Sequence, residues 1–220
     1  MSNNQDAAST LGLGFVGSMT ASISHEIKNV LAIVNENAGL LEDLALLAEK
    51  GRPLSPERLK TMSGNIRKQV QRADDIIRRL NRFAHSTHEP ATTAELGEIF
   101  EFTAALVARL AAMKSVTISV AQAKPVALKI RPFLLENLLW IALKNLFAVT
   151  QGHQTVTLGG EVIDGQIVIT MQMDEGLPVS ALGAQVASEG QALLAALQAE
   201  VSVDAERSLI ALKMPAAPDQ

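Results

Sequence analysis

The stretch "TASISHEIKNVLAIVNEN" places His25, Glu26 and Asn29 within one turn of a helical pattern. That combination suits nucleophilic chemistry on phosphorus. A neutral imidazole has one ring nitrogen free to attack a phosphoryl group and one that carries the proton. A neighbouring carboxylate, Glu26, is able to hold that proton and stabilise the cation that forms. One turn on, the Asn29 amide would orient a water or a phosphoryl oxygen. His-Glu neighbours are also common on solvated helix surfaces, so these three residues alone leave a functional role and a plain surface role equally open.

The elements around them decide which way the histidine points. From Ile23 the apolar positions are Ile23, Ile27, Val30, Val34, Leu41, Leu44 and Ala48, with Asn37 as one polar interruption. The steps alternate between four and three, a coiled-coil-like seam. At 100° per residue His25 lies about 160° from Ile27 and so faces outward. Stacked below it are Asn29, Ala32, Glu36, Gly39 and Asp43, with Lys28 alongside. A solvated helix face ordinarily carries long charged side chains, and glycine costs about 1 kcal/mol of helix propensity. Ala32 and Gly39 therefore read either as a shallow groove for a partner's helix or, at Gly39, as a bend. The partner surface expected is Lys28, Ala32, Glu36 and Gly39.

Gly51 and Pro53 stop this helix, and Ser55 caps the next with Pro56 at its first position. The second helix repeats the rhythm through Leu59, Met62, Ile66, Gln69, Ala73, Ile76, Leu80 and Phe83. Its outer face carries Arg67, Lys68, Arg72, Arg78, Arg79 and Arg82. Residues 17–86 are thus a helical hairpin preceded by a flexible N-terminus, 1–16. Leu31, Leu40 and Leu47 widen the first stripe beyond what one helix covers. Two solutions follow: a second copy completing a four-helix bundle, or packing on the chain's own C-terminal half. The first is the expectation.

Residues 87–93 read as a linker, 94–216 as a second domain and 217–220 as a tail. The grammar changes there to α+β. A helix from about residue 94 to Met113 leads into strands "VTISVA" and "PVALKI", then a helix "FLLENLLWIALKNLFAV". A strand hairpin turning at Asp164-Gly165 follows, then a Gly/Pro-containing loop, a helix around "QALLAALQ" and two last strands. The fold expected is a helical hairpin followed by an α/β sandwich, one mixed sheet with helices on one face.

Composition narrows the function. The chain has 220 residues, 48 % hydrophobic and 19 % charged, enough to bury real cores. Net charge is −4 with no long basic run, which argues against a nucleic-acid partner. The absence of cysteine removes thiol catalysis and thiolate metal sites. With no signal peptide and no membrane-length apolar run, the expected location is the cytoplasm, away from the membrane. His85 and His88 flank the linker, but two ligands are too few for a metal site.

Two segments resemble a known family. "SISHEIKNVLAIVNENAGLLED" resembles the phosphoacceptor box of bacterial two-component sensor histidine kinases, and "NIRKQVQRADDIIRRLNRFA" that family's second dimerisation helix. The resemblance implies that His25 accepts phosphate, that Glu26 assists, and that Asn29 belongs to the Glu-x-x-Asn pattern tied to dephosphorylation of the partner. Where the family usually has proline, this chain has Val30. The C-terminal half is similar to the family's ATP-binding domain in eroded form. Asn145 takes the place of the magnesium-binding asparagine, while the asparagine one turn earlier is Ile141. "MDEGLPV" resembles the adenine-binding motif, keeping Asp174 and Gly176 but with Pro178 for the second glycine. The later glycine-rich loop has no counterpart, since only Gly183 and Gly190 remain between Leu177 and Glu200.

Together these features imply a histidine phosphotransferase, a dimeric relay between His25 and receiver-domain aspartates of response regulators. It would need no cofactor of its own: magnesium comes with the receiver, and ATP binds weakly or not at all. An active ATP-dependent histidine kinase with a reduced nucleotide site is the alternative. A response-regulator-binding module without chemistry is the third reading.

Overall fold

The computed structural model describes residues 2–121, 125–150, 152–174 and 177–216, with side chains from residue 6 onward. The chain forms two compact units. One is Thr20–Ala84; the other joins Met1–Met19 to His85–Gln220.

The first unit is the helical hairpin. Helix α1 spans Ser2–Glu49, its last 30 residues belonging here, and α2 spans Pro56–Ser86. Gly51 ends α1 with φ +80°, a left-handed conformation that glycine adopts without a Cβ penalty. Ser55 opens α2: its Oγ accepts the Arg58 amide at 3.4 Å and donates to Glu57 Oε2 at 2.9 Å. The expected seam is present but only half covered. Ile23, Val30, Met62, Ile76 and Phe83 are buried, whereas Ile27, Val34, Leu41, Leu59, Ile66 and Leu80 are half-buried. Leu31, Leu40, Val70 and Ile77 stay exposed, Leu31 at 57 %. The polar interruption is satisfied inside the hairpin. Asn37 donates to the Ile33 carbonyl at 2.8 Å and accepts from Asn65 Nδ2 at 3.4 Å.

The second unit is a mixed sheet covered by helices. Strand β1 (Thr92–Glu95) pairs antiparallel with β3 (Ala127–Ile130). The main sheet runs β2-β4-β5-β7-β6, with β2 (Val116–Val120), β4 (Gln154–Ile163), β5 (Gln166–Met173), β6 (Glu200–Asp204) and β7 (Leu209–Pro215). Among the described strands of this sheet β2-β4 is parallel and the other pairs are antiparallel. Asp164 and Gly165 turn the β4-β5 hairpin with φ +51° and +75°, the twisted two-residue connection expected of Asp-Gly. Helices α3 (Leu96–Met113), α4 (Pro132–Val149), α5 (Val179–Glu189) and α6 (Gln191–Leu197) complete the unit. Among the described residues α4 is the one helix apolar and long enough to cross a bilayer, and it is the buried core of this unit.

Three local expectations are corrected. The stretch 1–16, read as flexible, is helical from Ser2, and its apolar residues are used. Phe15 is 1 % exposed, its ring centroid 5.6 Å from that of Phe133 and 6.3 Å from that of Trp140. The linker 87–93 is shorter than read, because Thr92 and Thr93 already pair in β1. The loop after β5 contains α5, whose Val179, Leu182, Gly183 and Val186 are buried at helical spacing. The 217–220 tail lies outside the described residues.

Candidate functional site

On α1, His25, Lys28, Asn29, Ala32, Glu36 and Gly39 are all exposed, and the helix runs unbroken through them. A Cβ added at Gly39 would meet nothing within 4 Å, so packing does not demand that glycine. The result is an open stripe of small and polar residues below the histidine. Among the described residues His25 has no hydrogen-bond or ion-pair partner, and its imidazole is presented to solvent.

Glu26 behaves differently from its neighbour. One residue further is 100° further round the helix, and that turn carries Glu26 off the exposed stripe. It is 7 % exposed, and its Oε2 lies 4.0 Å from Nη2 of Arg79 on α2. A buried carboxylate needs such a partner, because desolvation is costly unless charge or hydrogen bonds compensate. Arg79, expected on the outer face with the other arginines, instead has a side chain about three-quarters buried. Hairpin register was the signal that would have found it. Asn37 meets Asn65, and stepping eleven residues back along α1 brings Glu26 level with about Ile76, within one turn of Arg79. Glu26 also falls on a buried 3-4 rhythm through Phe15, Met19, Ser22 and Val30.

Further along α2, a shallow groove of about 650 Å³ is lined by Gly64, Arg67, Lys68, Gln69, Gln71, Arg72 and Asp75. None of the residues singled out around His25 lines it.

The residues at the nucleotide-site positions are engaged elsewhere. Asn145 is buried in α4, and its Nδ2 donates to the Ile141 carbonyl of its own helix at 3.0 Å. Ile141 is itself 3 % exposed. Asp174 follows β5, and its Oδ2 accepts the Thr155 amide at 2.6 Å, tying the start of β4 to the end of β5. Gly176 lies outside the described residues. Between α4, the sheet and α5 remains a cavity of about 10 Å³, lined by residues including Ala142, Leu146, Met173 and Leu182. That is room for about one water, where ligand pockets measure roughly 300–1,000 Å³.

The two glycines kept from the phosphate-loop region serve packing. A Cβ at Gly183 would collide with Val203, and one at Gly190 would come within 2.7 Å of both Leu138 Cδ1 and the Val186 carbonyl oxygen. Among the described residues no three His, Asp or Glu side chains gather as metal ligands.

No family model and no curated protein sequence matches this chain. Solved structures do. The nucleotide-free catalytic domain of histidine kinase ThkA is matched over its whole length by 60 % of this chain, at 10 % identity and a TM-score of 0.50. ThkA in complex with response regulator TrrA matches over 94 % of this chain and 63 % of that one, at 14 % identity and a TM-score of 0.48. The blue-light activated histidine kinase EL346 of Erythrobacter litoralis matches over 90 % and 63 %, at 17 % identity and a TM-score of 0.49. The chain is thus a long N-terminal helical region followed by an α/β unit with the fold of a histidine kinase catalytic domain.

Proposed function

We propose that the protein is a histidine phosphotransferase of a two-component phosphorelay, passing phosphoryl groups between His25 and receiver-domain aspartates of response regulators. One contrast supports this reading over an ATP-dependent kinase. His25 is exposed and unpartnered among the described residues, while Asn145 and Asp174 are spent on backbone groups. The engagement of Asn145 and Asp174 with backbone groups disfavours an adenine nucleotide with its magnesium, and in this reading the phosphate arrives from another protein. The exposed imidazole disfavours a docking module without chemistry.

The step is a displacement at phosphorus. The unprotonated ring nitrogen of His25 attacks the aspartyl phosphate, an N–P bond forms, and the acyl P–O bond breaks. The aspartate leaves as a carboxylate, and the other ring nitrogen keeps its proton. Magnesium bound by the receiver stabilises the phosphoryl oxygens, and this chain contributes positioning. The receiver lies along Lys28, Asn29, Ala32, Glu36 and Gly39, where small side chains admit a helix.

The working unit is a two-fold dimer of the hairpin in the cytoplasm. The half-buried seam and exposed Leu31 and Leu40 call for a second apolar surface. Charge supports the same pairing: α1 carries six carboxylates and one lysine, α2 eight Lys or Arg and three carboxylates. In a two-fold bundle each α1 lies beside its partner's α2.

The test is transfer from receiver domains labelled with radioactive acetyl phosphate, beside a parallel incubation with labelled ATP. The expected result is an acid-labile, base-stable adduct at His25 from the receivers and none from ATP. His25→Ala should abolish it while leaving receiver binding intact. Label on the His25→Ala chain at the parental rate would end this reading, and label from ATP alone would replace it with a kinase.

A further inference from the structure

Glu26 and Arg79 are joined across the hairpin, and their pairing bears on the histidine next door. Glu26 follows His25 on α1, its side chain is 9 % exposed, and its Oε2 pairs with Arg79 Nη2 at 4.0 Å. Arg79 comes from α2, 53 positions along the chain, and its side chain is 24 % exposed. Arg78, beside it, pairs instead with Asp74 and Asp75 along its own helix, in the open. Arg79 reaches across to the other helix.

We infer that Arg79 is a positioning residue for His25, acting through Glu26. The inference deepens the phosphotransfer reading and rests on it. A carboxylate this buried is costly to hold in place by itself. Without the Arg79 cation it swings toward solvent, and a fixed negative charge one residue along the helix from the imidazole is lost. That charge favours the phosphoimidazole, whose retained ring proton makes it cationic as the N–P bond forms. Arg79 touches neither the phosphoryl group nor the incoming receiver; it fixes the carboxylate that does the stabilising. Lysine retains the charge at that place, and methionine retains only the packing.

The experiment uses the full chain and phosphoramidate, a small phosphoryl donor that needs no protein partner, with the phosphohistidine rate at His25 as readout. Four variants are compared with the parent: Glu26→Gln, Arg79→Met, Arg79→Lys and the double Glu26→Gln/Arg79→Met. Glu26→Gln and Arg79→Met should each slow phosphorylation about tenfold, less than the roughly hundredfold of a group that transfers the proton itself. Arg79→Lys should stay within about threefold of the parent, as the charge is retained. The double variant should be no slower than Glu26→Gln alone, since two residues acting as one unit are not additive.

Removing both charges leaves no buried ion unpaired, so the double variant keeps the comparison available even if Arg79→Met alone does not fold. Multiplicative losses in the double variant, parental rates in Arg79→Met, or an Arg79→Lys chain as slow as Glu26→Gln would each overturn the inference. A parent chain that takes no label from phosphoramidate would do the same. Label from phosphoramidate but none from phosphorylated receivers would overturn the relay reading and leave the role of Arg79 standing.

Discussion

Phe15→Ala should unfold the α/β unit more readily, although residue 15 stands far in sequence from every strand. The ring is 1 % exposed and lies against Phe133 and Trp140 at centroid distances of 5.6 and 6.3 Å. Truncating a buried phenylalanine costs about 3–5 kcal/mol in lost transfer energy and residual cavity. Each aromatic pair accounts for roughly 0.5–1.5 kcal/mol of that order beyond area alone. Taking about 4 kcal/mol, and about 2–4 °C per kcal/mol for a unit of this size, the melting temperature should fall by about 8–16 °C. The assay is urea unfolding followed by fluorescence, which is selective here because Trp140 is the only tryptophan and one of the two rings that lose contact. Leu13→Ala is the control. Leu13 sits on the same helix at 74 % exposure and should change stability by less than about 0.5 kcal/mol. If Phe15→Ala and Leu13→Ala unfold at the same urea concentration, residues 6–19 do not belong to the α/β core and the argument fails.

Further outcomes follow from the same packing. Leu31→Asp with Leu40→Asp charges the exposed edge of the seam while leaving its buried residues alone. Light scattering should give twice the chain mass for the parent and the single mass for this variant; a parent that is monomeric at micromolar concentration rules out the bundle. Gly190→Ala should destabilise the α/β unit by about 1–3 kcal/mol, because overpacking against Leu138 and the Val186 carbonyl forces a shift. Unchanged urea stability would contradict it. Glu57 is held below the usual carboxylate value first by its backbone hydrogen bond and then by the Ser55 hydroxyl. What it contributes is therefore present above the ordinary carboxylate value and lost as pH falls through the lowered one. Glu57→Gln should lose less helicity than the parent on acidification through that window, read by circular dichroism, and equal losses would refute the assignment.

The hairpin was legible in the sequence because a 3.6-residue period reports burial directly: His25, Asn29, Ala32, Glu36 and Gly39 stand exposed as their spacing requires. The Asp164-Gly165 turn and the mixed sheet were legible for the equivalent reason in strands. The inward turn of Arg79 was not. A run of arginines on one helix looks uniformly solvated, and only the register between two helices distinguishes one from the next. Helix α5 was hidden by Pro178 and Gly183, which read as loop punctuation until Val203 is seen packed against Gly183. The helical N-terminus was hidden by its polar opening, even though Phe15 and Met19 continue the rhythm of Ser22, Glu26 and Val30 backwards.

Because α1 serves both units, the hairpin is an insert in topological terms. The α/β unit takes in residues before Thr20, is interrupted for residues 20–84, and resumes at His85. Its aromatic core then has one ring made before the hairpin and two made more than a hundred residues later. During translation Phe15 has to wait, uncovered, until Phe133 and Trp140 emerge, so closure of this core is a late, long-range event that pays a large loop entropy. The same topology dictates how the protein is divided in the laboratory. A fragment starting at residue 85 lacks Phe15 and would expose the faces of Phe133 and Trp140 that it covers, whereas residues 6–19 supplied as a separate peptide should bind that fragment and restore them.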